Sequence, residues 1–250
     1  MSGATPSSAG GRSRGSVLGW TVAVLLVVLH ACWVGQKRNE GDLRVYYDTV
    51  ARLPAGLDLY QLREGAEPER PTGFIYPLPF ALVFAPLTCA PFPAVRVGWA
   101  LLMGLLALRS YSVALSLVFP AGVFAWAQRG PPGAPAVRLG AVAVGVAVSL
   151  RFVLSDLSHG QANILVLWLA LEGVAAGAAG RARAGGAPQA AATLVKLTPA
   201  LLVAGEWVAG RRRVVAWAAV TGLALAVAPA LVLGPWATVD ATWRFVAEVT

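Results

Sequence analysis

Apolar residues dominate long stretches of the chain and polar residues gather between them. Val17–Gly35 carries no charge. Further apolar runs follow at 74–94, 97–108, 110–128, 139–155, 160–180 and 214–234. A stretch of about 20 apolar residues is long enough to cross a bilayer as a helix. The pattern therefore predicts an all-α polytopic transmembrane helical bundle of about seven spans. The run 74–94 holds Pro77, Pro79, Pro86, Pro91 and Pro93 and is expected to be kinked or broken, because each proline removes a backbone donor. Segment 184–210 is apolar too but contains Pro188, Lys196, Pro199 and Glu206. It is expected to form a broken or re-entrant hairpin with both ends on one side, since arginines flank it at 181, 183 and 211–213.

Two segments are polar. Residues 1–16 are small, polar and basic and read as a disordered cytoplasmic tail ahead of a transmembrane domain over 17–250. Residues 36–73 form an external loop holding seven of the chain's twelve acids, Glu40, Asp42, Asp48, Asp58, Glu64, Glu67 and Glu69, beside six cations. Val17–Gly35 is too long for an ordinary signal peptide core and suits a full span. The Leu29-His30-Ala31-Cys32 stretch matches a lipoprotein cleavage site poorly.

Composition supports the membrane reading. Of 250 residues, 57% are hydrophobic and only 13% charged, where a soluble domain is nearer 25% charged. That balance excludes an ordinary soluble enzyme and a disordered chain. The net charge of +8 comes from 18 Arg and only 2 Lys. With abundant Ala, Gly and Val, it points to a GC-rich bacterial, actinobacterial-like composition. The arginines sit in short clusters between apolar runs, so they orient the chain rather than bind nucleic acid. With the N-terminus cytoplasmic and strict alternation, Arg12, Arg14, Arg96, Arg129, Arg138, Arg181 and Arg183 all fall inside. Cys32 and Cys89 give neither a disulfide framework nor a metal spacing, and no metal site is evident.

This topology gathers Arg151, Asp156, His159, Gln161 and Asn163 near the external face with the 36–73 loop. Arg151 lies within a span, where it can bind a phosphate or snorkel to the head groups. Asp42 falls just beyond the first span and is either a general base or a solvated charge paired with Arg44. His159 either contacts a ligand or caps a helix end. Lys196, amid apolar neighbours, requires a partner, a cavity or a helix break, with Glu206 and Glu172 as candidate partners.

Several short motifs together resemble glycosyltransferase family 87. They are the acidic first loop with Asp42 and Gly56-Leu57-Asp58-Leu59-Tyr60, then Phe74-Ile75-Tyr76-Pro77-Leu78-Pro79-Phe80-Ala81-Leu82 and Ala85-Pro86-Leu87. Gly160-Gln161-Ala162-Asn163 and Lys196-Leu197-Thr198-Pro199 follow in the family's order. The resemblance implies a GT-C-like fold and a multi-pass enzyme of the plasma membrane. It implies transfer of mannose or another hexose from a polyprenyl-phosphate donor to a glycolipid or glycan acceptor on the external face. The lipid-linked sugar is a substrate, and no cofactor is expected.

By the same resemblance Asp42 is the catalytic base. Arg151, His159 and Lys196 are candidates to stabilise the leaving phosphate, Gln161 and Asn163 to hydrogen-bond the donor, and Tyr76 to pack on a sugar ring or anchor the interface. Two departures stand out: Leu78 interrupts a proline pair the family commonly keeps adjacent, and family members commonly continue with more spans, as if this chain were C-terminally short. The alternatives are a truncated, non-catalytic relative and a transporter or flippase of a lipid-linked substrate.

Overall fold

The computed structural model describes residues 14–36, 41–53, 59–60, 74–129 and 134–249, and among them the regular structure is helical throughout. The first helix, α1 (Arg14–Gln36), already begins inside the segment expected to be a tail. Asp58 and the acids at 64, 67 and 69 lie outside the described residues. The short helix α2 (Gly41–Val50) buries Leu43, Tyr46 and Val50, positions three and four apart that share one face. Asp42 stands in its first turn, where the helix dipole favours a carboxylate.

Prolines start helices here rather than bend one. Pro77 is extended and caps α3 (Leu78–Phe84), with Pro79 in the first turn. Pro86 opens a 3-10 turn over Ala85–Cys89, and Pro91 caps α4 (Phe92–Val118), with Pro93 in its first turn. At that position the missing N–H would have had no helical partner anyway. This broken segment does not cross the bundle. Tyr76, before it, meets Tyr46, and the carbonyl of Ala90, after it, accepts from Tyr47, so both ends return to α2.

The helix α4 is continuous through residue 109, where two separate spans were expected. At 27 residues it is about 40 Å long. Arg109 interrupts the apolar run without ending the helix. Its guanidinium instead meets Glu172 at 2.5 Å on α7 (Asn163–Ala178), so the charge is compensated within the helix pair. Beyond α4, the short α5 (Val123–Gln128) packs on α6 (Ala134–His159). Three apolar stretches, Phe92–Gln128, Ala134–His159 and Arg212–Leu233, are long and apolar enough to cross a membrane.

These contacts fix which residues share an end of the bundle. Val27 of α1 packs on Gly104, and Ala31 and Val34 cluster with Ala100, so α1 and α4 run antiparallel. Arg96 therefore lies at the α2 end, beside Trp99, Leu157 and Gly160. The sequence count grouped it with Arg129, Arg181 and Arg183, which lie at the opposite end. Along the bundle, residues 74–91 make no traverse where one was expected, and 92–128 makes one where two were expected. The difference is an even number of traverses, so the segments after Arg129 alternate between the ends of the bundle as the simple count has them.

The expected hairpin is present. Helix α8 (Ala182–Val195) stops at Lys196, whose backbone is extended, and α9 (Ala200–Val208) runs back alongside it. Glu206 of α9 accepts a hydrogen bond from the side chain of Gln189 of α8 at 3.3 Å, and pairs with Arg211 at 2.8 Å. Neither Glu206 nor Glu172 is the partner of Lys196. Helix α10 (Arg212–Val227) then packs along α8, and α11 (Pro229–Leu233) and α12 (Pro235–Val249) close the α2 end, where Phe245 meets Tyr60.

Candidate functional site

The site is built where α2 docks on the turn between α6 and α7. Gly160 adopts a left-handed conformation (φ +69°), and the N–H of Gln161 reaches back to the Asp156 carbonyl at 3.1 Å, closing the end of α6. The fit of α2 on this turn leaves no room for a side chain. A Cβ on Gly41 (φ +52°) would sit 2.3 Å from the His159 carbonyl oxygen, and one on Gly160 would sit 2.6 Å from the Leu43 Cβ. The indole N–H of Trp99 donates to the Gly160 carbonyl at 3.1 Å and adds α4 to the same joint.

Four side chains form a connected polar group at this joint. The Asn163 amide nitrogen donates to the Asp156 carboxylate at 3.1 Å and to the Gln161 side-chain oxygen at 2.6 Å. The Asn163 amide oxygen accepts from the Lys196 ammonium. The break between α8 and α9 thus delivers a cation to the start of α7. All four residues are part-buried.

Asp42 stands beside them. It precedes Tyr46 by one helical turn, and its carboxylate is within electrostatic range of Tyr46, Tyr76 and Asp156. The Tyr46 hydroxyl donates to the Tyr76 hydroxyl at 2.8 Å, and the Tyr46 ring is surrounded edge-on by Tyr76, Phe80, Phe84 and Trp99. Burial pushes the Tyr46 phenol well above its ordinary range, and Tyr76 and Asp42 push it further. Burial raises Tyr76 as well, against the lowering effect of the hydrogen bond it accepts. Both phenols therefore stay neutral at physiological pH. The remaining titratable groups in this half of the site are the carboxyls of Asp42 and Asp156 and the amine of Lys196.

The expected residues divide into two groups. Gln161, Asn163 and Lys196 come together, and Asp42 lies within electrostatic range of Asp156 in the same group. Tyr76 joins them from beneath, but it is buried in the aromatic cluster, with its carbonyl accepting from Tyr60. His159 sits at the rim, exposed, its Nδ1 at 2.8 Å from the Ser155 carbonyl. Arg151 is exposed on the face of α6 opposite Val153 and Leu157, which pack on the core, so it points away from the polar group. Two participants had no role assigned from sequence. Asp156 was legible only as a polar residue seven positions before Asn163, and Tyr46 only as part of the Leu43, Tyr46, Val50 spacing. Among the described residues no group of three or more His, Cys, Asp or Glu is arranged to hold a metal ion.

Comparison with protein families gives a match over most of the chain. The family model described as glycosyltransferase family 87 matches residues 74–249, which includes Tyr76, Asp156, Gln161, Asn163 and Lys196 and begins after α2. No curated protein and no solved structure matches.

Proposed function

The chain belongs to glycosyltransferase family 87, a family of membrane glycosyltransferases. On that premise we propose that it moves a hexose, mannose by the family resemblance, from a polyprenyl-phosphate donor to a lipid or glycan acceptor. The reaction takes place at the α2 end of the bundle, which faces outward from the plasma membrane. The observation that carries this reading is Lys196 held on Asn163, whose amide also binds the Asp156 carboxylate, with Asp42 within electrostatic range of Asp156. An inverting transfer needs both charges: a base for the acceptor and a cation for the departing phosphate.

In the proposed step the acceptor hydroxyl attacks C1 of the sugar and its proton passes to the Asp42 carboxylate. The bond from C1 to the phosphate oxygen breaks, and its electron pair leaves on the polyprenyl phosphate. Lys196 stabilises the growing negative charge, and Asn163 and Asp156 hold the ammonium in place. Gln161 supplies a further polar contact to donor or acceptor. Orientation follows from charge: Arg129, Arg181, Arg183 and Arg211–Arg213 cluster at the end away from α2, which the positive-inside rule makes cytoplasmic.

Membranes containing the protein and labelled polyprenyl-phosphate mannose test the reading. Transfer dependent on the chain is expected, and Asp42→Asn at equal expression is expected to reduce it by about 10²–10⁴-fold. Normal transfer by Asp42→Asn overturns the base. No chain-dependent transfer from any polyprenyl-phosphate hexose overturns the reading as a whole.

A further inference from the structure

At the end opposite the polar group, two turns repeat one sequence. Ala179-Gly180-Arg181-Ala182-Arg183 joins α7 to α8, and Ala209-Gly210-Arg211-Arg212-Arg213 joins α9 to α10. The backbones repeat as well. Gly180 and Gly210 both have φ +74°. The following N–H reaches back five residues in each, Arg181 to Ala176 and Arg211 to Glu206, both at 2.9 Å. The two turns lie side by side because α8 packs on α10 backbone to backbone: a Cβ on Gly186 would lie 2.3 Å from the Val214 carbonyl oxygen.

Five guanidiniums therefore gather at the first turns of two helices, the end where a helix dipole disfavours cations. Glu206 is the carboxylate that answers Arg211; Arg181, Arg183, Arg212 and Arg213 make no ion pair among the described residues. All four are exposed; Arg183 lies over the Trp217 ring at 5.5 Å and Arg212 over Trp207 at 5.7 Å. Arg138 repeats this at the same end, over Trp126 at 5.1 Å. Trp207 and Trp217 are themselves exposed, as indoles are at a membrane interface. Such a concentration of like charge, set by the fold against its own helix dipoles, calls for counter-anions supplied from outside the chain.

We propose that the paired Ala-Gly-Arg-x-Arg turns form a binding surface for the phosphate groups of anionic phospholipids in the leaflet at that end. Forked guanidiniums suit phosphate oxygens, the backbone N–H groups of the two helix starts point the same way, and the indoles sit at the depth of the glycerol esters. The surface lies a bundle length from Lys196 and does not depend on sugar transfer.

The test uses the full chain in detergent micelles doped with phosphatidylglycerol or phosphatidylcholine, with inorganic phosphate as a third arm. Phosphatidylglycerol is expected to raise Tm by about 5 °C over phosphatidylcholine, an increment that high salt removes. Arg183→Gln with Arg213→Gln is expected to halve the increment or better, and the two lysine substitutions, which keep the charge, to retain most of it. An equal gain from both lipids overturns the proposal. So does an undiminished gain in the glutamine pair, or the same gain from inorganic phosphate alone. If the glutamine pair fails to fold, the lipid comparison and its salt dependence in the unaltered protein decide the matter.

Discussion

The Lys196 ammonium donates to the side-chain oxygen of Asn163, and so joins the apex of the α8–α9 hairpin to the first residue of α7. Asn163 faces both ways, since its nitrogen holds the Asp156 carboxylate. The three residues form one chain of polarity, lysine to amide to carboxylate, across three helices.

Removing the cation and removing its support have different signatures. Lys196→Gln is expected to lower kcat/KM for the lipid-linked donor by about 10²-fold, the usual cost of deleting one transition-state donor. Asp156→Asn leaves the lysine but loosens Asn163. A hydrogen bond to a charged group is worth about 1.5–3 kcal/mol, so an effect of roughly 10- to 100-fold is expected, mainly in KM for the donor. Steady-state kinetics on both variants decide this, and an unchanged donor KM and kcat in Lys196→Gln would remove the lysine from the site.

Joint and helix glycines separate strain from mere flexibility. Gly160→Ala places a Cβ against Leu43 at a positive φ, and Gly41→Ala does so against the His159 carbonyl. Each is expected to cost about 1–3 kcal/mol from the left-handed backbone alone, with the clash added. Gly140 and Gly145, mid-helix in α6, have nothing within 4 Å of the added carbon. There alanine is expected to be neutral or stabilising by about 0.5–1 kcal/mol. Thermal unfolding of the four variants in one detergent provides the comparison.

The buried phenol sets an alkaline limit. The folded state holds Tyr46 above its unfolded value of 10.0, so the folded chain prefers the neutral form. Its contribution is fully present below that pH and is lost as pH rises past it. Stability is therefore expected to stay level with respect to this residue from neutral to about pH 10 and then fall. Tyr46→Phe is expected to give up about 1 kcal/mol at neutral pH, from the lost hydrogen bond to Tyr76, and to flatten the alkaline decline. Unfolding curves across that range, with phenolate absorbance alongside, measure both effects.

The relocated Arg96 yields a direct topology test. With Cys32 and Cys89 replaced by serine, single cysteines at Ala51 and Ala94 are expected to react with an impermeant reagent from the same side, and one at Ala184 from the opposite side. Labelling of Ala94→Cys together with Ala184→Cys would restore the simple alternation and refute the returning segment at 74–91.

Particular residues show what could be read from sequence. Lys196 followed by Pro199 announced a helix break, because a cation and a proline within three residues of an apolar helix leave few other solutions. The polar first loop and the polar turn at 159–163 were equally visible. The contacts of Arg109 and the side that Arg151 faces were unreadable for a common physical reason. Helices that are apolar nearly all round carry no stripe to show which side faces a neighbour, so the rotational phase of a charge within them is unwritten. Arg109 found Glu172 across the helix pair, whereas Arg151 turned outward. The partner of Lys196 was unreadable because Asn163 lies 33 positions away and bears no charge to advertise it.

The glycine contacts between α2 and the α6–α7 turn carry a consequence for motion. Two backbones that touch with no side chain between them cannot separate by a rotamer change; they open together or stay closed. The amides of residues 44–50 and of 163–166 are thus expected to exchange with solvent as one unit. If sugar transfer takes place there, a substrate arriving at the joint meets these residues already docked, and none of its binding energy is spent on bringing α2 and the turn together.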